Sequence, residues 1–202
     1  LAAYFRQALS PETASELAFV VERQHHGTPS GIDNTVVAHE QAVRFVKGEA
    51  PQVLRDVTAR SLPVVIGDSG ESTPTRVPVG AVRADWEAEP ARLEALFDAI
   101  AEQVRAAHAA MSANDLPALG AAMNGNHALL RQLNVSSEML DRLCDSACAA
   151  GALGAKMSGG GRGGNMLALA RDASHAIEIG SALRAAGARR VFIAPESSPP
   201  AH

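Results

Sequence analysis

The sequence predicts an α+β fold, a two-layer sandwich in which helices cover one face of a mainly antiparallel sheet. Three observations carry that expectation. Apolar residues recur at helical spacing through Leu93, Leu96, Phe97, Ile100, Val104, Ala107 and Met111, and again in two shorter stretches. Short β-rich runs stand at residues 62–66, 166–170 and 190–194, and clusters of turn-forming residues separate the helical and extended segments. The elements then follow in order. Ser10-Pro11-Glu12 opens a first helix with a capping hydroxyl and a proline in its first turn, and Leu17, Val20 and Val21 continue it to about Gln24. Alternation around Val43, Phe45 and Val46 reads as one strand, and Leu62-Pro63-Val64-Val65-Ile66 as a second, buried one. Residues 67–75 are turn chemistry throughout and lead into the long helical stripe, which reads as core. Asn114-Asp115 with Pro117 opens the next helix, and Ser136-Ser137 opens a third that Gly151 and Gly154 end. From Ala155 the pattern is extended, crosses a glycine turn, resumes at Met166, gives way to a helix over 173–186 with Gly187 as its C′ residue, and closes on a strand. The Ser/Pro-rich tail reads as loose.

Composition narrows the function. The 202 residues are 47% apolar and 20% charged, enough for one large domain or two small ones with real cores. Lys and Arg total 18 against 22 Asp and Glu, without a long block of like charge, so no nucleic-acid footprint is present. No apolar run approaches the roughly 18 residues that a membrane span requires. Tyr4, Arg6 and Gln7 interrupt what would otherwise be the apolar stretch of a signal peptide, so the expected setting is cytoplasmic and the expected partner a small molecule. Cys144 and Cys148 lie four apart on one helix face, with no further cysteine for a metal site or a disulfide framework, and read as buried packing thiols.

Chemistry concentrates in two loops. In Glu22-Arg23-Gln24-His25-His26-Gly27-Thr28-Pro29-Ser30-Gly31-Ile32-Asp33-Asn34, Pro29 fixes its own φ between two permissive glycines, and the turn holds Asp33 in one direction with Glu22 eleven residues upstream. Two carboxylates so placed suggest a base and a metal ligand. Far downstream, Gly159-Gly160-Gly161-Arg162-Gly163-Gly164 offers backbone N–H groups free of Cβ obstruction, suited to a phosphate. Together the loops read as phosphoryl transfer. Plainer readings stand beside these: Asp33 as an N-cap for the segment containing Val36 and Val37, Glu22 as a solvated helix residue, Arg162 pointing into water. His25 and His26 are adjacent, point apart on an extended segment, and lack a third ligand.

The loop from His26 to Asn34 resembles the acidic loop of the mevalonate kinase family, one branch of the GHMP superfamily named for galactokinase, homoserine kinase, mevalonate kinase and phosphomevalonate kinase. Lys156-Met157-Ser158-Gly159-Gly160-Gly161-Arg162-Gly163-Gly164-Asn165 is similar to that superfamily's C-terminal glycine motif, and Ser72 to Val79 resembles the stretch entering its substrate pocket. Ser158, Gly160, Arg162 and Asn165 replace the commoner Thr, Ala, Gly and Cys, substitutions similar to those of a prokaryotic branch. The resemblance implies a ferredoxin-like C-terminal domain over 59–196, the remainder of the N-terminal kinase domain over 1–58, and a loose tail over 197–202. It implies ATP-dependent phosphorylation of mevalonate with Mg²⁺ in isoprenoid biosynthesis, and leaves homodimerisation open. Asp33 would be the catalytic base, Glu22 the metal ligand, and Ser30, Thr75 and His26 substrate contacts. Ser158, Gly159, Gly160, Gly161, Arg162, Gly163 and Gly164 would form the phosphate turn.

A chain opening on Leu1 without Met reads as a piece of a longer protein. The resemblance makes it the C-terminal two-thirds of such an enzyme, without the second glycine-serine loop that wraps the ATP phosphates. Apolar surface near Leu17 and Val21 is then expected to be exposed. The alternatives are another kinase of the superfamily, acting on a sugar or on phosphomevalonate, and a catalytically dead binding or dimerisation module.

Overall fold

The computed structural model describes residues 9–26, 30–46, 48–54 and 62–194. The chain divides into two compact units, Leu1–Ala59 and Arg60–His202. Thr28, Pro29 and the side chain of His26 in the acidic loop lie outside the described residues, as does the tail after Ala194.

The first unit is a helix pair with a small hairpin. Helix α1 runs Pro11–His26, with the Thr13 N–H donating to the Ser10 hydroxyl at 3.2 Å as the capping pattern predicts. Helix α2, Ile32–His39, packs against it, and strands β1 (Val43–Arg44) and β2 (Gln52–Val53) pair antiparallel. The α1–α2 seam is polar. Asn34 Nδ2 donates to the Ser15 carbonyl at 3.0 Å and to its hydroxyl at 2.8 Å, and Ser15 Oγ and Thr35 Oγ1 share a bond at 3.3 Å. All three residues are buried, so these bonds satisfy groups that would otherwise be costly to remove from water. On α1, Leu17, Val20 and Val21 remain more than half exposed, as the sequence reading expects.

The second unit holds a four-stranded antiparallel sheet built from β3 (Val64–Asp68), β4 (Gly154–Ser158), β5 (Asn165–Leu169) and β6 (Arg190–Ile193), in the order β4-β5-β3-β6. Counted within the sheet this is 2-3-1-4, the split βαβ topology of a ferredoxin-like fold. Its first crossover is expanded into α3 (Arg76–Ala88), α4 (Pro90–Ser112), α5 (Leu116–Gln132) and α6 (Glu138–Ala149), while α7 (Ala173–Ala185) makes the second. Alternation along the strands sends Val65, Ala155, Met157, Met166 and Ala168 to one face, where α6 and α7 cover them with Leu140, Leu143, Ala147, Ile179 and Leu183. Most of these are at or near zero exposure, and each large side chain so buried contributes about 1.5–3 kcal/mol.

The structure amends several expectations. The helical segment after residue 75 is two helices, because Pro90 pushes Glu89 out of the α region, to φ −136° and ψ 64°, and the stripe from Leu93 to Met111 lies wholly on the second, α4. Leu93 and Leu96 are buried, but Phe97 and Val104 are 40% and 49% exposed, so the core stripe is narrower than its apolar pattern. Gly67 and Asp68 belong to β3, where pairing with Met166, Asn165, Val191 and Arg190 overrides their turn composition. Cys144 is buried, its thiol pushed up to about 12 by loss of solvent, whereas Cys148 is exposed on the last turn of α6 and is not a buried packing group.

Helix α5 lies along the free edge of β4. Gly120 and Gly154 face each other so closely that a Cβ on either would overlap the other's backbone environment. One helical turn further on, Asn124 Oδ1 accepts the Ala155 N–H at 2.9 Å, and His127 Nδ1 accepts that of Met157 at 3.4 Å. Two outward-facing strand donors are thus bonded by side chains three apart on one helix face.

Candidate active site

The candidate residues fall into two sets, one in each unit. In the first, Gly31 takes φ 86° and is the N-cap of α2, so Asp33 is not the cap but an exposed residue in the helix's first turn, where a carboxylate is favoured by the dipole. Its neighbour Asn34 is the α1–α2 bolt, a role the sequence reading missed, since nothing local distinguishes a buried Asn from a turn Asn. Glu22 is half-buried on α1, two turns beyond Ser15. Ser30 is exposed, and its hydroxyl accepts the Ile32 N–H at 3.3 Å, fixing the approach to Asp33.

In the second set, the glycine turn between β4 and β5 is preformed. Gly159, Gly161, Gly163 and Gly164 all have positive φ, and so does Arg162 at 53°. Two neighbouring segments hold it. Arg162 N–H donates to the Val135 carbonyl at 2.7 Å and its Nε to the Asn134 carbonyl at 3.2 Å, both in the α5–α6 connection. From the β3–α3 loop, Thr73 Oγ1 donates to the Arg162 carbonyl at 2.6 Å, and Gly164 N–H donates to the Glu71 carbonyl at 2.9 Å. Glu71 and Ser137 join the two clamping segments, the Ser137 hydroxyl donating to Glu71 Oε2 at 2.5 Å.

Close approach explains the glycines. A Cβ on Gly161 would overlap the Val135 carbonyl, one on Gly163 would come within 2.8 Å of the Glu71 backbone, and one on Gly160 within 2.8 Å of the Thr75 methyl. Thr75 is therefore seated against the turn, at the start of α3. The N–H groups of Gly159, Gly160, Gly161 and Gly163 bond to no described residue. Ser158 ends β4 opposite Asn165 and is half-buried. The arrangement can present several backbone donors to an anion without further rearrangement.

Behind the turn lies a polar group that sequence reasoning did not single out. Asp141 accepts the Ser136 hydroxyl at 2.6 Å and forms an ion pair with Arg131, whose Nε lies 3.1 Å from its Oδ2, and His127 Nε2 stands 3.3 Å from its Oδ1 without hydrogen-bond alignment. Burial holds the His127 imidazole below its ordinary value, with Asp141 opposing. Burial likewise lowers Lys156, whose ammonium donates to the Met157 carbonyl at 2.8 Å. The i, i+3 pair Asn124 and His127 on an otherwise apolar helix face was the available signal.

The second unit, with its ferredoxin-like sheet, expanded first crossover and clamped glycine turn, is where a known family model matches. Residues 104–189 match the family model described as GHMP kinases C terminal. The chain is also similar to mevalonate kinases: 35% identical to that of Pyrococcus furiosus over 89% of this chain and 53% of the relative, and 36% identical to that of Thermococcus onnurineus over the same shares. Among solved structures, the L. major mevalonate kinase in complex with R-mevalonate is 31% identical with a TM-score of 0.85, over 95% of this chain and 60% of that one. The chain spans about half the length of the curated relatives it matches.

Proposed function

We propose that the protein carrying this chain transfers the γ-phosphoryl group of ATP to the primary hydroxyl of mevalonate, giving 5-phosphomevalonate. The observation that carries this reading is a preformed glycine turn with N–H groups that bond to no described residue, in a chain 35% identical to the mevalonate kinase of Pyrococcus furiosus. Asp33 accepts or orients the proton of the attacking hydroxyl, which leaves as the new P–O bond forms and the bond to ADP breaks. Ser158 and the N–H groups of Gly159, Gly160, Gly161 and Gly163 hold phosphate oxygens, with Arg162 and Gly164 completing the turn, while Ser30, Thr75 and His26 contact the alcohol substrate.

The described donors suit a metal held mainly by nucleotide. Among the described residues no three acids, histidines or cysteines cluster, leaving Glu22 as a single carboxylate of the kind Mg²⁺ takes beside phosphate oxygens and water. When bound, the ion neutralises charge on the β- and γ-phosphates. No described helix is long and apolar enough to cross a membrane, and the setting proposed is the cytoplasm.

The test is ATP-dependent phosphorylation by the full-length protein that carries this chain, with mevalonate, phosphomevalonate, sugars and homoserine as acceptors. Mevalonate turnover is expected, Asp33→Asn lowering kcat by about 10²–10⁴-fold and Glu22→Gln raising the Mg²⁺ concentration required. Turnover of a different alcohol would move the substrate, and turnover of none would refute the kinase reading.

A further inference from the structure

We propose that Arg162 is a positioning residue of the glycine turn and not a phosphate ligand, acting through the N–H of its Nε on Asn134 and not through its charge. The inference rests on the phosphoryl-transfer reading of the turn, and it starts from the backbone. At φ 53° Arg162 occupies a conformation that glycine adopts freely and that is strained for a residue with a Cβ. All four of its glycine neighbours at positive φ avoid that strain. A side chain here therefore needs a compensating interaction, and the 3.2 Å bond from Nε to the Asn134 carbonyl supplies one.

Three bonds converge on this one residue: its N–H to Val135, its Nε to Asn134, and the Thr73 hydroxyl to its carbonyl. They tie the turn to the α5–α6 connection on one side and to the β3–α3 loop on the other. The Ser137–Glu71 bond closes the circuit between those two segments, and Thr75 sits against Gly160 within it. The substrate-facing loop and the phosphate turn are thereby fixed relative to each other, the condition for holding an alcohol in line with a phosphorus. The turn's donors to phosphate are backbone N–H groups of its glycines. The inner part of the guanidinium is already committed to the protein.

Two substitutions separate the roles by geometry. Glutamine places an amide nitrogen on Cδ, where arginine carries Nε, and removes the charge. Lysine keeps the charge and puts a methylene at that position. In the full-length protein, Arg162→Lys and Arg162→Gly should raise KM for ATP about tenfold over Arg162→Gln, the equivalent of one lost hydrogen bond. Amide exchange at residues 162 and 164, whose N–H groups are bonded, should quicken in the Lys and Gly variants and stay as in wild type in the Gln variant. The reverse order, with Lys retaining ATP affinity and Gln losing it, would make Arg162 a phosphate ligand and overturn the proposal. Wild-type exchange in all three variants would overturn it too. The exchange comparison needs no turnover, so it tests the clamp even where the substrate assignment fails.

Discussion

Gly161 and Gly159 have nearly the same φ, 92° and 90°, yet only one has a neighbour in its Cβ position. At Gly159 nothing lies within 4 Å, and an alanine there pays for its conformation alone. At Gly161 the Val135 carbonyl occupies the space. Gly159→Ala should therefore destabilise the chain by about 1 kcal/mol and Gly161→Ala by about 2–3 kcal/mol, measured by urea unfolding. The sequence showed that both positions permit a turn and could not rank them, because the obstructing atom comes from a loop twenty-six residues away. Asp33 shows the same limit: its type and the glycines beside it were legible, but whether it capped a helix or sat inside one was decided by Gly31.

Among the elements, helix starts were the most legible feature, since Ser10, Asp115, Ser137 and Asp172 each accept a backbone N–H at the positions their side-chain chemistry predicts. Two of these caps differ in what else they hold. Asp115 serves α5 alone, accepting the Ala118 N–H at 2.9 Å, while the Ser137 hydroxyl accepts from Leu140 and donates to Glu71. Asp115→Ala should cost about 1 kcal/mol without disturbing the glycine turn. Ser137→Ala should cost about 1–2 kcal/mol and also quicken amide exchange at residues 162 and 164. Equal exchange in the two variants would argue that the Ser137–Glu71 bond does not stiffen the turn. Strand limits were less legible, because a strand's extent is set by partners that are remote in sequence. Gly67 and Asp68 read as a turn until Val191 and Arg190 pair with them.

At the scale of the whole molecule, stability should follow pH through two groups. His127 is held below the ordinary 6.5 by burial, so the unfolded chain binds a proton that the folded chain refuses. Its contribution is fully present above pH 6.5 and falls as pH drops through that value. Asp68 is lowered from 3.8 by the Gly70 N–H above all, and by the Arg190 guanidinium at 3.1 Å. Its contribution is present above pH 3.8 and is lost as pH falls further, through the depressed folded value. Unfolding free energy measured across pH should show the first decline in wild type and not in His127→Gln, and the second in wild type and not in Asp68→Asn. The α+β class was legible at this scale from the alternation of periodicities. The strand order was not, since it depends on four helices intervening between β3 and β4.

The pairing of α5 with β4 has a further consequence for the protein in crowded solution. An unpaired sheet edge is a template on which another chain can add a strand, the first step of aggregation and of domain swapping. Here Asn124 and His127 occupy the donors of Ala155 and Met157 that such a strand would need, and the Gly120–Gly154 approach leaves no gap for a backbone to enter. The β4 border of the sheet is therefore closed to strand addition by described residues. Enlarging Gly120 would force the helix off that border and expose it, so the two glycines that bring helix and strand together also protect the chain against self-templated polymerisation.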